Sequence, residues 1–171
     1  MIEIKIATKT DAEILTLLGR ITYTESHGHF IENKNDLLTY NNEEFSIKKT
    51  NEDLANKNIL LYIMYVDKLP VGYAKLVLNA ANINVPSKQT CRLEKIYILQ
   101  DFIPLKVGQQ FFDFINEVAK KLQFQTIWLT VYIKNSRAIG FYQKNEFKNV
   151  GTYNFNINGK DYENSIFLKK I

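Results

Sequence analysis

Tyr142, Asn135 and Glu94 are the side chains whose type and position best suit proton transfer or the holding of a polar ligand. Asn135 opens the stretch Asn135-Ser136-Arg137-Ala138-Ile139-Gly140-Phe141-Tyr142, which follows the apolar run Ile127-Trp128-Leu129-Thr130-Val131-Tyr132 and precedes Phe147. The pattern predicts a buried strand, a polar cap, a short helix and a return strand. A phenol within hydrogen-bond reach of a departing group can protonate it, and a carboxylate can take the proton of an incoming one. Glu94 shares a strand face with Ile96 and Ile98, because alternate residues point the same way. Each also has a structural alternative: Tyr142 packed on a sheet with its hydroxyl satisfied, Glu94 paired with Arg92 or Lys95. A third feature is the junction from Leu99 to Gln109, where a strand leads into a helix start. The first backbone N–H groups of a helix are unpaired and its dipole favours negative charge, so this junction can hold an anion.

Other reactive residue types carry less. The lone Cys91 lies in a strand-like segment, where an inert buried thiol is the expected state, and it has no partner for an internal disulfide. His27 and His29 lack a metal-like partner set and are expected on an exposed loop, with a substrate-loop role as the alternative; no metal is inferred. The net charge of +4 is spread along the chain without a basic block, which argues against nucleic acid as the partner. With 46% apolar and 23% charged residues and no apolar run near the roughly 20 residues of a membrane span, the expectation is a soluble protein without a membrane partner. Met1-Ile2-Glu3-Ile4-Lys5-Ile6 alternates like a strand and lacks the features of a signal peptide, so a cytoplasmic location is expected.

The elements that must position these residues follow from periodicity and turn chemistry. Ile2 to Ala7 reads as a strand; Thr10-Asp11-Ala12-Glu13 has capping-box spacing for a helix to about Glu25, with Ile14, Leu17, Leu18 and Ile21 turned inward. His27 to Asn35 is helix-poor, and a charged helical region spans Asp36 to about Asn56 with a restart at Ser46. Ile59 to Val66 and Val71 to Leu78 form a hairpin around Asp67-Lys68-Leu69-Pro70, Asn79 to Gln89 is a loop, and Cys91 to Leu99 is a fourth strand. A helix from Lys106 to Leu122 presents Val107, Phe111, Phe114, Ile115, Val118 and Leu122, and Thr126 to Tyr132 is a fifth strand. Two closing strands alternate around Asn158-Gly159-Lys160. The 171 residues suit one domain, residues 1–171, of the α/β class with mixed α+β order: a mostly antiparallel mixed sheet with helices on both faces.

Asn135, Ala138, Phe141 and Tyr142 at the spacing N-x-x-A-x-x-F-Y resemble the second half of the acyl-CoA site of the GNAT superfamily of N-acyltransferases. The chain is most similar to its bacterial PaiA-type polyamine N-acetyltransferases, through Phe45-Ser46, Gly72-Tyr73-x-Lys75-Leu76, Leu93-Glu94-Lys95-Ile96-Tyr97 and Gly151-Thr152-Tyr153-x-Phe155. At the phosphate loop, R/Q-x-x-G-x-G/A in the family, this chain has Ile103-Pro104-Leu105-Lys106-Val107-Gly108: the final glycine is kept, while Ile103 and Lys106 depart from the pattern.

The resemblance implies that the fourth and fifth strands splay apart, with acetyl-CoA as co-substrate in the gap. It implies donor contacts from Ile96, Tyr97 and Ile98, pyrophosphate binding at Lys106, Val107, Gly108 and Gln109, and further cofactor contacts from Asn135, Tyr142 and Lys144. Tyr142 would protonate the departing thiolate, and Glu94 would serve as base. Glu25, Glu32, Asp36, Glu43 and Glu44 fall on what would be the acceptor side, where they would attract a polycation such as spermidine or form a merely solvated charged face. The expected activity is direct acetyl transfer to a small-molecule primary amine. The rivals are a binding or regulatory protein of this fold without catalysis, motivated by Ile103 and Lys106, and an acetyltransferase for protein N-termini or another small amine. A homodimer is compatible with this reading.

Overall fold

The computed structural model describes residues 1–85 and 88–171; Pro86 and Ser87, inside the expected Asn79–Gln89 loop, lie outside the described residues. The strands are β1 (Ile2–Ile6), β2 (Ile59–Val66), β3 (Leu69–Val77), β4 (Thr90–Ile98), β5 (Thr126–Tyr132), β6 (Lys148–Ile157) and β7 (Lys160–Lys170). The helices are α1 (Ala12–His27), α2 (Lys34–Glu44), α3 (Ile47–Ala55), α4 (Val107–Lys121) and α5 (Ser136–Lys144). One seven-stranded sheet runs in the order β1-β2-β3-β4-β5-β7-β6, which makes the chain an α/β fold. β4 and β5 are parallel, and their ladder is three pairs long, Thr90 to Arg92 against Thr126 to Trp128. β5 pairs with β7 along its whole length, from Thr126 with Lys170 to Tyr132 with Asn164.

Two compact units emerge, the first comprising residues 1–76 and 95–115, the second residues 77–94 and 116–171. In the first, a 3-10 turn at Lys9–Asp11 leads into α1, and its cap is Thr8, two residues before the Thr10 that the spacing suggests. Asp11 Oδ2 accepts from Thr8 N at 2.8 Å and from Thr8 Oγ1 at 2.9 Å, so Thr8 and Asp11 do the capping expected of Thr10 and Glu13. The buried stripe is correspondingly Ala12, Leu15, Leu18, Gly19, Thr22 and Tyr23, while Leu17 and Ile21 face solvent. Small and hydroxyl-bearing residues fill that stripe because Phe45 packs directly on Gly19. Ser46 caps α3 by accepting from Lys49 N at 3.1 Å, as its restart position predicts.

β2 and β3 join through Asp67 and Lys68, both at positive φ, which is the tight hairpin turn that matches strand twist. Asp53 on α3 accepts from Lys75 Nζ on β3 at 2.6 Å, a buried ion pair that also engages Lys49 at 3.3 Å. Removing one member of such a pair strands the other charge away from water and costs about 3–5 kcal/mol. The first half of α4 buries Val107, Phe111, Phe112 and Ile115. Each such side chain contributes about 1.5–3 kcal/mol. Phe112 was not among the expected inward positions, and Leu122, which was, lies beyond the helix and is exposed.

In the second unit Val85, Trp128 and Ile166 form a small core, and Trp128 Nε1 donates to Ala80 O at 2.8 Å. Asn158 and Gly159, both at positive φ, turn β6 into β7 as Asn-Gly predicts. A bulge between Asn149 and Gly151 shifts that ladder by one residue.

Candidate active site

Within the first unit, Gly72 on β3 has a reason to be glycine. A Cβ there would sit 2.4 Å from the Tyr97 carbonyl oxygen and 3.0 Å from Ile98 Cδ1, so only a bare backbone allows this approach. Leu99 N then donates to Val71 O at 2.8 Å, which continues the β3 contact to the end of β4. The strand-to-helix junction that follows is a 3-10 segment, Gln100–Leu105, ending at Lys106. Lys106 adopts φ 57°, ψ 20°, the left-handed conformation that glycine takes most easily. The lysine thus occupies backbone geometry suited to the glycine of the family pattern. α4 begins at Val107, and a Cβ at Gly108 would meet nothing within 4 Å. Open space beside the leading N–H groups of a long helix, with an ammonium-bearing residue before it, fits an anionic phosphate.

The alternate faces of β4 differ. Cys91, Leu93 and Lys95 are buried, whereas Arg92, Glu94 and Ile96 are half-buried. Lys95 forms an ion pair with Glu44 of α2 and lies over the Phe45 ring. Glu25, at the end of α1, accepts from Gln100 N at 2.9 Å. Glu25 and Glu44, two of the acceptor-side carboxylates, thus bond to Gln100 and Lys95; Glu32 and Glu43 are exposed and Asp36 is half-buried.

His27 corrects the expectation of an exposed loop. It completes α1, its ring stacks on Tyr23 at 4.6 Å and 9°, and Tyr97 meets it edge-on at 5.8 Å. Its Nδ1 lies 2.7 Å from Ser26 Oγ. Burial, with a smaller effect of His29, lowers its pKa from 6.5 to about 4, so the imidazole is neutral at physiological pH. Tyr40, Phe45 and Tyr73 complete this aromatic group around Tyr23 and Tyr97, and burial pushes the Tyr40 phenol far upward. No short-range pattern announces this group, because its members come from α1, α2, β3 and β4. His29 is exposed beside Phe30.

In the second unit, Asn135 caps α5: its Oδ1 accepts from Ala138 N at 3.1 Å. Tyr142 follows on the same helix, half-buried, with Phe141 and Phe147 each 5.5 Å away edge-on. Burial raises its pKa above the ordinary phenol value, which keeps it a proton donor at neutral pH. Lys144, in the last turn, is exposed. Glu94 lies 3.5 Å from Arg92 Nη1, and that guanidinium stacks over Trp128 at 4.9 Å. The Arg92 pair, one of its two alternatives as a paired carboxylate, is formed. Cys91 is fully buried, and burial pushes its thiol up to about 12, which makes it a poor nucleophile. Among the described residues, no three His, Cys, Asp or Glu side chains gather as a metal site. No helix formed by the described residues is long and apolar enough to cross a membrane. A surface hollow lined by Ala7, Leu54, Asn56, Lys57 and Leu61 contains none of the expected site residues.

The profile of the acetyltransferase (GNAT) family matches residues 24–147, and the chain belongs to that family of acetyltransferase enzymes. It is 24% identical over 153 residues to an uncharacterized N-acetyltransferase in the pepI 3′ region of Lactobacillus delbrueckii subsp. lactis, covering 90% of this chain and 87% of that protein. Among solved structures it is similar to the PaiA N-acetyltransferase of Thermoplasma acidophilum in complex with coenzyme A, at TM-score 0.78 and 21% identity, covering 100% and 99% of the two chains. The spermidine/spermine N-acetyltransferase SpeG of Vibrio cholerae is similar at TM-score 0.69 and 15% identity, over 99% and 95%. At these identities the structures establish the shared fold.

Proposed function

We propose that the whole chain, residues 1–171, acts as one acetyl-CoA-dependent N-acetyltransferase that passes the acetyl group directly to a primary amine, with a polyamine such as spermidine as the first-choice acceptor. The observation that carries this reading is α5. Asn135 and Tyr142 are seven residues apart, two helical turns, which puts them on one side of the helix. A phenol is protonated at neutral pH, so Tyr142 has a proton to give.

In this reading the backbone of Ile96, Tyr97 and Ile98 pairs with the donor's pantetheine amides. The N–H groups of Lys106 to Gln109 receive its pyrophosphate, and the Lys106 ammonium supplies charge where the family pattern has an arginine nearby. Asn135 and Lys144 add polar contacts to the donor. Glu94 takes the amine's proton, directly or through water, so that the uncharged nitrogen attacks the thioester carbonyl. The carbon–sulfur bond breaks as the new carbon–nitrogen bond forms, Tyr142 protonates the departing thiolate, and the second proton shed by the acylated nitrogen returns to the Tyr142 phenolate, directly or through water. Direct transfer needs no cysteine, consistent with the inert Cys91.

The polyamine assignment draws on charge. Lys and Arg counted against Asp and Glu give −2 for the first unit and +6 for the second, and the first unit holds Glu32, Asp36 and Glu43. An acidic surface raises the local concentration of a polycation. The structural neighbour SpeG, a spermidine/spermine N-acetyltransferase, is in keeping with the same class. Mass spectrometry of products from acetyl-CoA with a mixed panel of polyamines, amino acids and peptides tests it. Acetylated polyamine is the expected product; modification of peptide N-termini alone would replace the acceptor. Absence of both product and saturable acetyl-CoA binding would sink the enzyme reading.

A further inference from the structure

The 3-10 segment Gln100–Leu105 leads directly to Lys106 and the start of α4, yet it begins without a cap of its own. Leu99, at the capping position, makes no side-chain hydrogen bond to the segment. The leading N–H of a helical turn needs an acceptor from elsewhere or from water. That acceptor is Glu25 Oε2, 2.9 Å from Gln100 N and seventy-five residues away in sequence. The bond is charge-assisted, between two solvent-exposed residues. Backbone bonds also hold the stretch: Leu99 N to Val71 O at 2.8 Å, Phe102 N to Leu99 O at 3.0 Å and Lys106 N to Ile103 O at 3.0 Å. The Glu25 bond ties it to α1 by a side chain that can be replaced without touching the backbone of β3 or the segment itself.

We propose that Glu25 is a positioning residue for the donor loop: from α1 it caps the 3-10 segment and so sets the orientation of Lys106 to Gln109. This places Glu25 on the donor side of the reaction instead of among the carboxylates that attract the acceptor. The assignment rests on the acetyl-CoA reading above. A consequence is that the last turn of α1, which also carries His27, is mechanically joined to the phosphate loop.

Two measurements on Glu25→Ala and Glu25→Gln test it. The first is amide hydrogen exchange of the 100–106 peptide in the ligand-free protein, and the second is calorimetric titration with coenzyme A. Glu25→Gln retains an oxygen that can accept from Gln100 N, so it is the conservative rescue. With the cap lost in Glu25→Ala, exchange in this peptide rises and coenzyme A affinity falls about fivefold, the scale of a lost helix cap. The KM of the amine at saturating acetyl-CoA stays at the wild-type value, and Glu25→Gln restores most of the affinity. Unchanged exchange and coenzyme A affinity in Glu25→Ala overturn the proposal. So does a rise confined to the amine KM with Gln no better than Ala, which returns Glu25 to the acceptor side. If the wild-type protein itself binds no coenzyme A, the acetyl-CoA reading and the positioning role fall together, and the exchange result then shows whether the cap alone exists.

Discussion

Asn135 Oδ1 accepts a hydrogen bond from Ala138 N at 3.1 Å, so the side chain assigned to the donor's pantetheine arm already closes the first turn of α5. The two duties use different atoms, since the amide oxygen caps and the amide nitrogen can donate. Aspartate keeps the first duty and loses the second. Asn135→Asp is therefore expected to hold the wild-type unfolding free energy, while Asn135→Ala loses about 1 kcal/mol. Both weaken acetyl-CoA binding in calorimetry. Full affinity in Asn135→Asp would confine Asn135 to capping.

Tyr142→Phe removes the phenolic proton and leaves the ring contacts with Phe141 and Phe147 in place. Turnover is expected to fall about a hundredfold, the usual scale for loss of a general acid. Acetyl-CoA affinity stays near wild type, because the ring still fills its site. Turnover that survives the substitution would remove Tyr142 from the role of acid.

Glu94→Gln removes a proton acceptor and also the charge that faces Arg92 at 3.5 Å. A partly exposed pair of this kind contributes about 0–1 kcal/mol, so little stability is at stake. The loss of kcat/KM should be greatest at low pH, where uncharged amine is scarcest. A loss independent of pH would assign Glu94 to the ion pair alone.

Lys106→Ala and Lys106→Gly separate charge from backbone. Both delete the ammonium, and only glycine accepts φ 57° without strain. If the ammonium meets the phosphates, both variants bind acetyl-CoA about five- to tenfold more weakly at low salt and approach wild type as salt screens the charge. A glycine variant that binds as wild type would show that the left-handed backbone suffices.

His27 gives the folded protein an acid sensitivity of definite sign. In the unfolded chain it protonates near 6.5, and in the folded chain only near 4, so between those values the unfolded state holds more protons. Stability therefore falls as pH drops from 6.5 to 4, and above 6.5 this group adds no pH dependence. The effect is on the order of 3 kcal/mol once the pH has fallen to 4. Urea unfolding across this range should show a shallower acid slope for His27→Gln than for wild type. Parallel slopes would mean that the ring protonates freely in the folded state.

Turn and cap chemistry was legible in the residues because it acts over two to four positions. Asn158-Gly159 marks its hairpin, and Ser46 and Asn135 mark helix starts. The inward face of α1 was not legible, although its elements were. Ile14, Leu17, Leu18 and Ile21 and the observed Leu15, Leu18 and Thr22 both satisfy helical periodicity, and the close approach of Phe45 to Gly19 selects the second set.

By itself, the sequence determined most of the strands and helices and the cap at Asn135, since each follows from local propensity or a short motif, whereas the need for glycine at 72 comes from the approach of Tyr97 and Ile98. Only the tertiary structure decided that Lys106 stands in glycine's conformation, that His27 is neutral among tyrosines, and that Glu25 and Glu44 are bound to Gln100 and Lys95. Those outcomes depend on what distant segments bring beside a residue. A carboxylate or imidazole has the same local signature whether it meets solvent, a substrate or a partner dozens of residues away.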